Sequence, residues 1–252
     1  KKSSKNPTEI WHLAANSDIP SGIVNPNIDL RDTFMTTFNL LEICRIFKIH
    51  DFYFASSSAI YGNHMDLNIK ENTGPLMPLS NYGAMKLASE AYLSTWVEKN
   101  ETSLYLFRFP NVVGMPSTHG VLFDFMHKLR KNPKLLNVLG DGTQQKPYLH
   151  VSDLIEGMLY ITKKSSEKRQ IFNIGQFDDG IKVQEIAEIV RNIFPIPFEI
   201  KYGKDNKGWL GDVPKFSYKA EKLKLLGWVP KLSSREAIQK LAAELYKEII
   251  KN

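Results

Sequence analysis

Two rhythms of apolar and polar residues take turns along this chain. Short, nearly continuous apolar runs, of which Asp51-Phe52-Tyr53-Phe54-Ala55 is the clearest, read as strands buried on both faces. Longer stretches between them carry apolar stripes at helical spacing. In chain order the pattern predicts a strand at 8–15, a helix at 28–47, a strand at 51–56, a helix at about 80–99 and a strand at 103–109. Strict alternation of this kind means a parallel sheet covered by helices, an α/β fold. Beyond Gly114 the rhythm changes to a helix at 121–131, a short strand at 135–139 and a turn at Gly140-Asp141-Gly142. A helix at 152–163 with Ser152 as its N-cap and a strand at 171–174 come next. Further helices are expected at 183–194, 220–226 and 233–251. Ser233 and Glu236 have the spacing of a capping box, and Gly227 is placed to end the helix before it.

Composition narrows the picture. With 252 residues, 42% of them apolar, the chain can bury a full core. The lone cysteine, Cys44, excludes an internal disulfide and suits a reducing, cytoplasmic setting. It reads as a packed small hydrophobe. No apolar run reaches the length of a membrane span, so no membrane partner is expected. The net charge of +6 raises the question of nucleic acid. The lysines are scattered, however, and the densest stretch, Lys163 to Arg169, reads as a solvated helix end and loop. No Cys/His metal spacing or RNA-stacking signature accompanies it, so neither nucleic acid nor metal is expected.

The candidate chemistry lies at one strand end and the helix after it. Tyr82 and Lys86 are four residues apart and share a helix face. Ser57, in the run Ser56-Ser57-Ser58, falls at the C-terminal end of the 51–56 strand. A free tyrosine, with its pKa near 10, is a poor base at neutral pH. A nearby ammonium, or the positive ring of an oxidised nicotinamide, favours its phenolate. Ser57 would hold a reacting alcohol within reach of Tyr82. Together these groups suit removal of a hydride from a sugar carbon. A Tyr-x-x-x-Lys pair alone is common by chance and more often belongs to the surface of an amphipathic helix.

Further segments occur in a fixed order. They are His12-Leu13-Ala14-Ala15, Ser56 to Gly62, Tyr82 to Lys86, Arg108 to Gly114, Gly140 to Gln144, Phe172 to Gly175, Gly211-Asp212 and Leu226-Gly227-Trp228. In these the chain resembles the extended short-chain dehydrogenase/reductases, in particular the NAD-dependent nucleotide-sugar epimerases of the UDP-glucose 4-epimerase type. The resemblance implies that Ser57, Tyr82 and Lys86 are catalytic, Lys86 also binding the nicotinamide ribose of NAD. It implies cofactor contacts at Ala14, Ala15, Asn16 and Phe109, and substrate contacts at Ser57 and Ser58. Asn111 matches an asparagine near the substrate diphosphate. Lys146 stands where an arginine usually grips that diphosphate, keeping the charge and losing the bidentate fork. Asp212 matches an acid that binds the nucleotide ribose. Trp209 replaces a phosphate-binding arginine, and nearby Lys207 could take over that contact. Phe216 falls at the position that gates the sugar pocket, where a large residue favours plain hexoses over N-acetylhexosamines. Family members that dehydrate the sugar carry an Asp-Glu pair directly after the catalytic Ser/Thr. Ser58 and Ala59 occupy those positions here, so dehydration is not expected.

The implied architecture is a Rossmann-type doubly wound parallel sheet with a smaller α/β substrate domain. The NAD-binding domain would take 1–113 and parts of 150–195, the nucleotide-sugar domain 114–149 and 196–233, and a C-terminal helix 234–252. No Gly-x-x-Gly-x-x-Gly is present. The resemblance therefore equates the 8–15 strand with the family's fourth and implies a preceding stretch of about sixty residues. It further implies a homodimer through helices 28–47 and 80–99. The expected activity is NAD-dependent epimerisation at C4 of a UDP-hexose, interconverting UDP-glucose and UDP-galactose. A reductase or decarboxylase acting on another nucleotide sugar, and a non-catalytic nucleotide-sugar-binding protein, are the alternatives.

Overall fold

The computed structural model describes residues 6–63, 68–206, 215 and 217–250. Four parallel strands form its central sheet in the order Glu9–His12, Asp51–Ala55, Ser103–Arg108, Arg169–Asn173. Side chains of a strand alternate between faces, and here each face has its own helical cover. Phe52, Phe54, Leu104 and Leu106 pack with Leu41 and Cys44 of helix Met35–Cys44 and with Leu93 and Val97 of helix Asn81–Glu98. Tyr53, Tyr105, Phe107 and Phe172 point the other way. They meet Leu154, Met158 and Ile161 of helix Val151–Lys164, together with Trp228. Burial of both faces is why these strands read as continuous apolar runs. Phe52 and Phe54 are fully buried, each adding roughly 1.5–3 kcal/mol of hydrophobic stabilisation.

A separate core lies beyond the sheet. It joins helix Val121–Lys131, helix Val183–Ile193, helix Ser234–Leu245 and the strand Leu135–Val138. That strand pairs in parallel with Glu199–Tyr202. The capping box at Ser233 forms as the spacing predicts: Glu236 N–H donates to Ser233 Oγ, and Ser233 N–H donates to Glu236 Oε2 at 2.8 Å. Gly227 adopts φ +102°, a left-handed conformation suited to ending Glu221–Leu225.

Three expectations need correction. The first strand ends at His12 rather than at 15. There the chain turns away, as Asn16 N–H donates to Thr33 Oγ1 at 3.1 Å and the Asn16 amide donates to Asp29 Oδ1 at 2.9 Å. The helix expected at 28–47 starts at Pro26 and passes through a widened turn, Leu30–Phe34, before Met35–Cys44. The cap of helix Val151–Lys164 is His150, not Ser152: its Nδ1 accepts the Ser152 N–H at 3.2 Å. Ser152 falls inside the first turn, where its hydroxyl pairs with the same ring nitrogen at 2.7 Å. Asp212, Phe216, Trp209, Lys207 and Gly211 lie outside the described residues.

Candidate active site

The strand Asp51–Ala55 ends beneath a tight turn, Ser58–Ile60. Ser57 is extended there (φ −146°, ψ 151°), and its Oγ accepts the Ala59 N–H at 3.1 Å. Ser58 N–H donates to the Phe109 carbonyl at 3.0 Å, tying this turn to the end of the neighbouring strand. Helix Asn81–Glu98 begins opposite, capped by Ser80, whose Oγ accepts the Gly83 N–H at 3.1 Å. Tyr82 and Lys86 lie one turn apart on it.

Gly83 sets how closely these two pieces approach. A Cβ on it would lie 2.6 Å from the Ala59 carbonyl oxygen, a backbone atom that cannot yield cheaply. Gly83→Ala therefore pushes the Tyr82 turn away from Ser57. Turnover should fall on the order of 10²-fold in that variant, since ångström misplacements cost about that much. Steady-state kinetics beside a circular-dichroism melt would check it; an unchanged rate would mean that the approach is not needed.

Lys86 is 2% exposed, and its Nζ donates to the Ala55 carbonyl at 2.5 Å. It stands 4.8 Å from the centre of the Phe54 ring and 5.8 Å from that of Tyr82. Burial pulls its pKa down to about 8, against the opposing pull of Glu90. Burial pushes the half-buried Tyr82 up to about 12, countered by the nearby Ser57 side chain and reinforced by Asp29. At neutral pH this phenol is therefore protonated, and its base form requires added positive charge nearby.

Ser57, Ser58, Tyr82, Phe109, Asn111 and Lys146 line one cavity of about 400 Å³. A second, of about 720 Å³, shares Ser17, Ile19, Asn111, Val112, His119 and Lys146 with it. Asn111 opens the strand Asn111–Val113, and its amide donates to the Pro147 carbonyl at 3.4 Å. Ala14, Ala15 and Asn16 line neither cavity; Ala14 is exposed and the other two are half-buried just past the first strand. Ser17 and Ile19 were not singled out by sequence, for nothing in their spacing marks them. Asp29 was also missed. It is fully buried, and its Oδ2 has no partner among the described residues.

A parallel α/β sheet with polar groups gathered at the C-terminal ends of its strands is the architecture of dinucleotide-binding enzymes. The family model described as the NAD dependent epimerase/dehydratase family matches residues 1–175. The chain belongs to that family, whose members are enzymes, and NAD is its cofactor. It is 33% identical to a protein solved as a crystal structure of UDP-galactose 4-epimerase, with a TM-score of 0.87 over 98% of this chain and 80% of that one. It is 27% identical to the UDP-glucose 4-epimerase of Corynebacterium glutamicum over 88% of this chain and 70% of the relative. It is also 26% identical to the human dTDP-D-glucose 4,6-dehydratase over 96% of this chain and 69% of the relative. The family thus includes both epimerases and dehydratases among this chain's relatives, and the choice between them falls to individual residues. The site fits the cofactor: Lys86 is a buried ammonium whose one described hydrogen bond leaves two N–H groups to offer a ribose diol.

Proposed function

We propose that this protein epimerises C4 of a UDP-hexose, interconverting UDP-glucose and UDP-galactose. The observation that carries the proposal is the convergence of Ser57, Tyr82, Asn111 and Lys146 on one cavity, with the buried Lys86 ammonium 5.8 Å from the centre of the Tyr82 ring. Ser57 holds the 4-hydroxyl by a hydrogen bond, and Tyr82 takes its proton and later returns it. Lys86 holds the nicotinamide ribose and supplies positive charge near the phenol, with Ala14, Ala15, Asn16 and Phe109 along the cofactor's path. Bound there, NAD supplies the two-electron acceptor and donor for C4. Asn111 and Lys146 bind the diphosphate, whose charge Lys146 offsets as a point cation.

The two residues after Ser57 favour epimerisation over dehydration. Expelling a 6-hydroxyl as water needs an acid and a base near C6. Ser58 and Ala59, both half-buried in the turn beside the cavity, supply neither. The proposal extends to a homodimer formed through the helices around Met35–Cys44 and Asn81–Glu98. Leu30, Ile43 and Tyr92 there are 45%, 42% and 38% exposed, enough apolar surface for a partner to cover.

Incubation with UDP-galactose and NAD⁺, with proton NMR of the sugar, tests the activity. UDP-glucose should accumulate without net NADH. Net NADH would make the protein a sugar-nucleotide dehydrogenase. An unchanged UDP-galactose, with carbon dioxide released from a UDP-hexuronate or NADH consumed on a keto-sugar nucleotide, would replace the epimerase with a decarboxylase or a reductase.

A further inference from the structure

Glu90 lies on the catalytic helix one turn beyond Lys86 and two beyond Tyr82. It is 5% exposed and its partner Arg108 is 4% exposed. Arg108 grips it with two parallel hydrogen bonds, Nη2 to Oε2 at 2.6 Å and Nε to Oε1 at 2.9 Å. Ser56, the residue before Ser57, donates its hydroxyl to Oε1 at 2.5 Å. Arg108 Nη1 donates onward to Tyr61 Oη at 2.9 Å, and Tyr61 donates to Asn173 Oδ1 at 2.7 Å. One buried carboxylate thus joins the helix of Tyr82 and Lys86 to the strand end that presents Ser57.

Stability alone is a weak reason for such a pair. Apolar residues of similar volume often replace a buried ion pair without loss, whereas removing one partner is costly. The connectivity gives a better one. We propose that Glu90 is a positioning residue for the reaction proposed above: through Ser56 and Arg108 it fixes Ser57 against Tyr82 and Lys86, and it keeps a negative charge one turn from the Lys86 ammonium.

The groups around Lys86 allow that charge to be isolated. Its own helix contributes Tyr82 and Glu90, and the strand Ser103–Arg108 contributes Arg108, which is already engaged by Glu90. From the strand Glu9–His12 comes His12, held neutral at pH 7 because burial and Lys86 lower it to about 4. Asp29, from the helix Pro26–Asp29, acts on Tyr82.

The test is an NMR titration of the Lys86 Nζ in the ¹⁵N-lysine-labelled whole chain, wild type beside Glu90→Gln. Loss of the carboxylate should move the Lys86 midpoint to lower pH by on the order of one unit. Turnover of the UDP-hexose should fall about 10- to 100-fold, with KM changed less than about threefold. An unmoved midpoint in the folded variant would overturn the proposal, whatever happens to its melting temperature. Should Glu90→Gln not fold, Ser56→Ala keeps the ion pair and removes only the bond to Ser56. It should lower kcat by about tenfold at a near-native melting temperature; unchanged kcat would overturn the proposal. A wild-type protein that turns over no nucleotide sugar would refute the proposed activity by itself, and the titration would still decide the role of Glu90.

Discussion

Replacing Tyr82 with phenylalanine should lower turnover of a UDP-hexose by about 10³-fold while leaving UDP affinity within about twofold. The variant keeps the ring that lines the cavity and loses only the oxygen. Its binding pocket is therefore intact and the proposed proton acceptor gone. The magnitude reflects proton transfer to a positioned base, typically worth about 10² to 10⁴. Burial holds the phenol at about 12, so its ionisation draws on the positive charge near it. Stopped-assay kinetics together with calorimetric titration of UDP would measure both quantities. A rate near that of the wild type would remove Tyr82 from the mechanism.

Lys86→Met should be comparably damaging to activity, about 10²- to 10³-fold, and should at the same time stabilise the fold at neutral pH. The activity loss arises because Lys86 is the buried cation beside the phenol, 5.8 Å from the centre of its ring. The stability gain comes from linkage. Burial lowers the pKa of Lys86 from its ordinary 10.5 to about 8. Between those pH values the unfolded chain binds the extra proton, so stability rises with pH through that window. Below about pH 8 the folded state carries the full penalty of a buried ammonium, on the order of 3 kcal/mol. Methionine removes that penalty and fills similar space. For the wild type the same shift predicts that activity falls as pH rises through about 8, where Lys86 loses its charge. A melting-temperature series from about pH 6 to 10 on both proteins would check the sign. A variant less stable than the wild type at pH 7 would show that the ammonium's contact with the Ala55 carbonyl outweighs its desolvation.

How much of this is legible in the sequence depends on how local the determining physics is. The strands around 51–55 and 103–108 are legible because both faces are buried, which leaves an unbroken apolar run. The helix Val121–Lys131 is legible to its end residues because its apolar stripe is narrow and its last turn carries Lys128, Arg130 and Lys131. The start of helix Val151–Lys164 is not, since a histidine capping through its ring nitrogen has no strong signature beside the serine two residues on. The widened turn at Leu30–Phe34 is equally silent. In the site, Tyr82, Lys86 and Ser57 stand out through a spacing that helix geometry turns directly into proximity. Glu90 has the same spacing from Lys86, yet an acid there is indistinguishable from a solvated helix face until Arg108 and Ser56 are seen to enclose it. Asp29 gives no hint either, because its burial arises from Gly22, whose missing side chain leaves room for the carboxylate.

The most direct measurement of the central claim uses UDP-galactose carrying deuterium at C4, incubated with the protein and NAD⁺ in ordinary water and monitored by proton NMR. C4 epimerisation by Ser57, Tyr82 and Lys86 predicts UDP-glucose with the deuterium kept at C4 and the 6-hydroxymethyl group intact. Solvent hydrogen at C4, or a product that has lost its 6-hydroxyl, would contradict it.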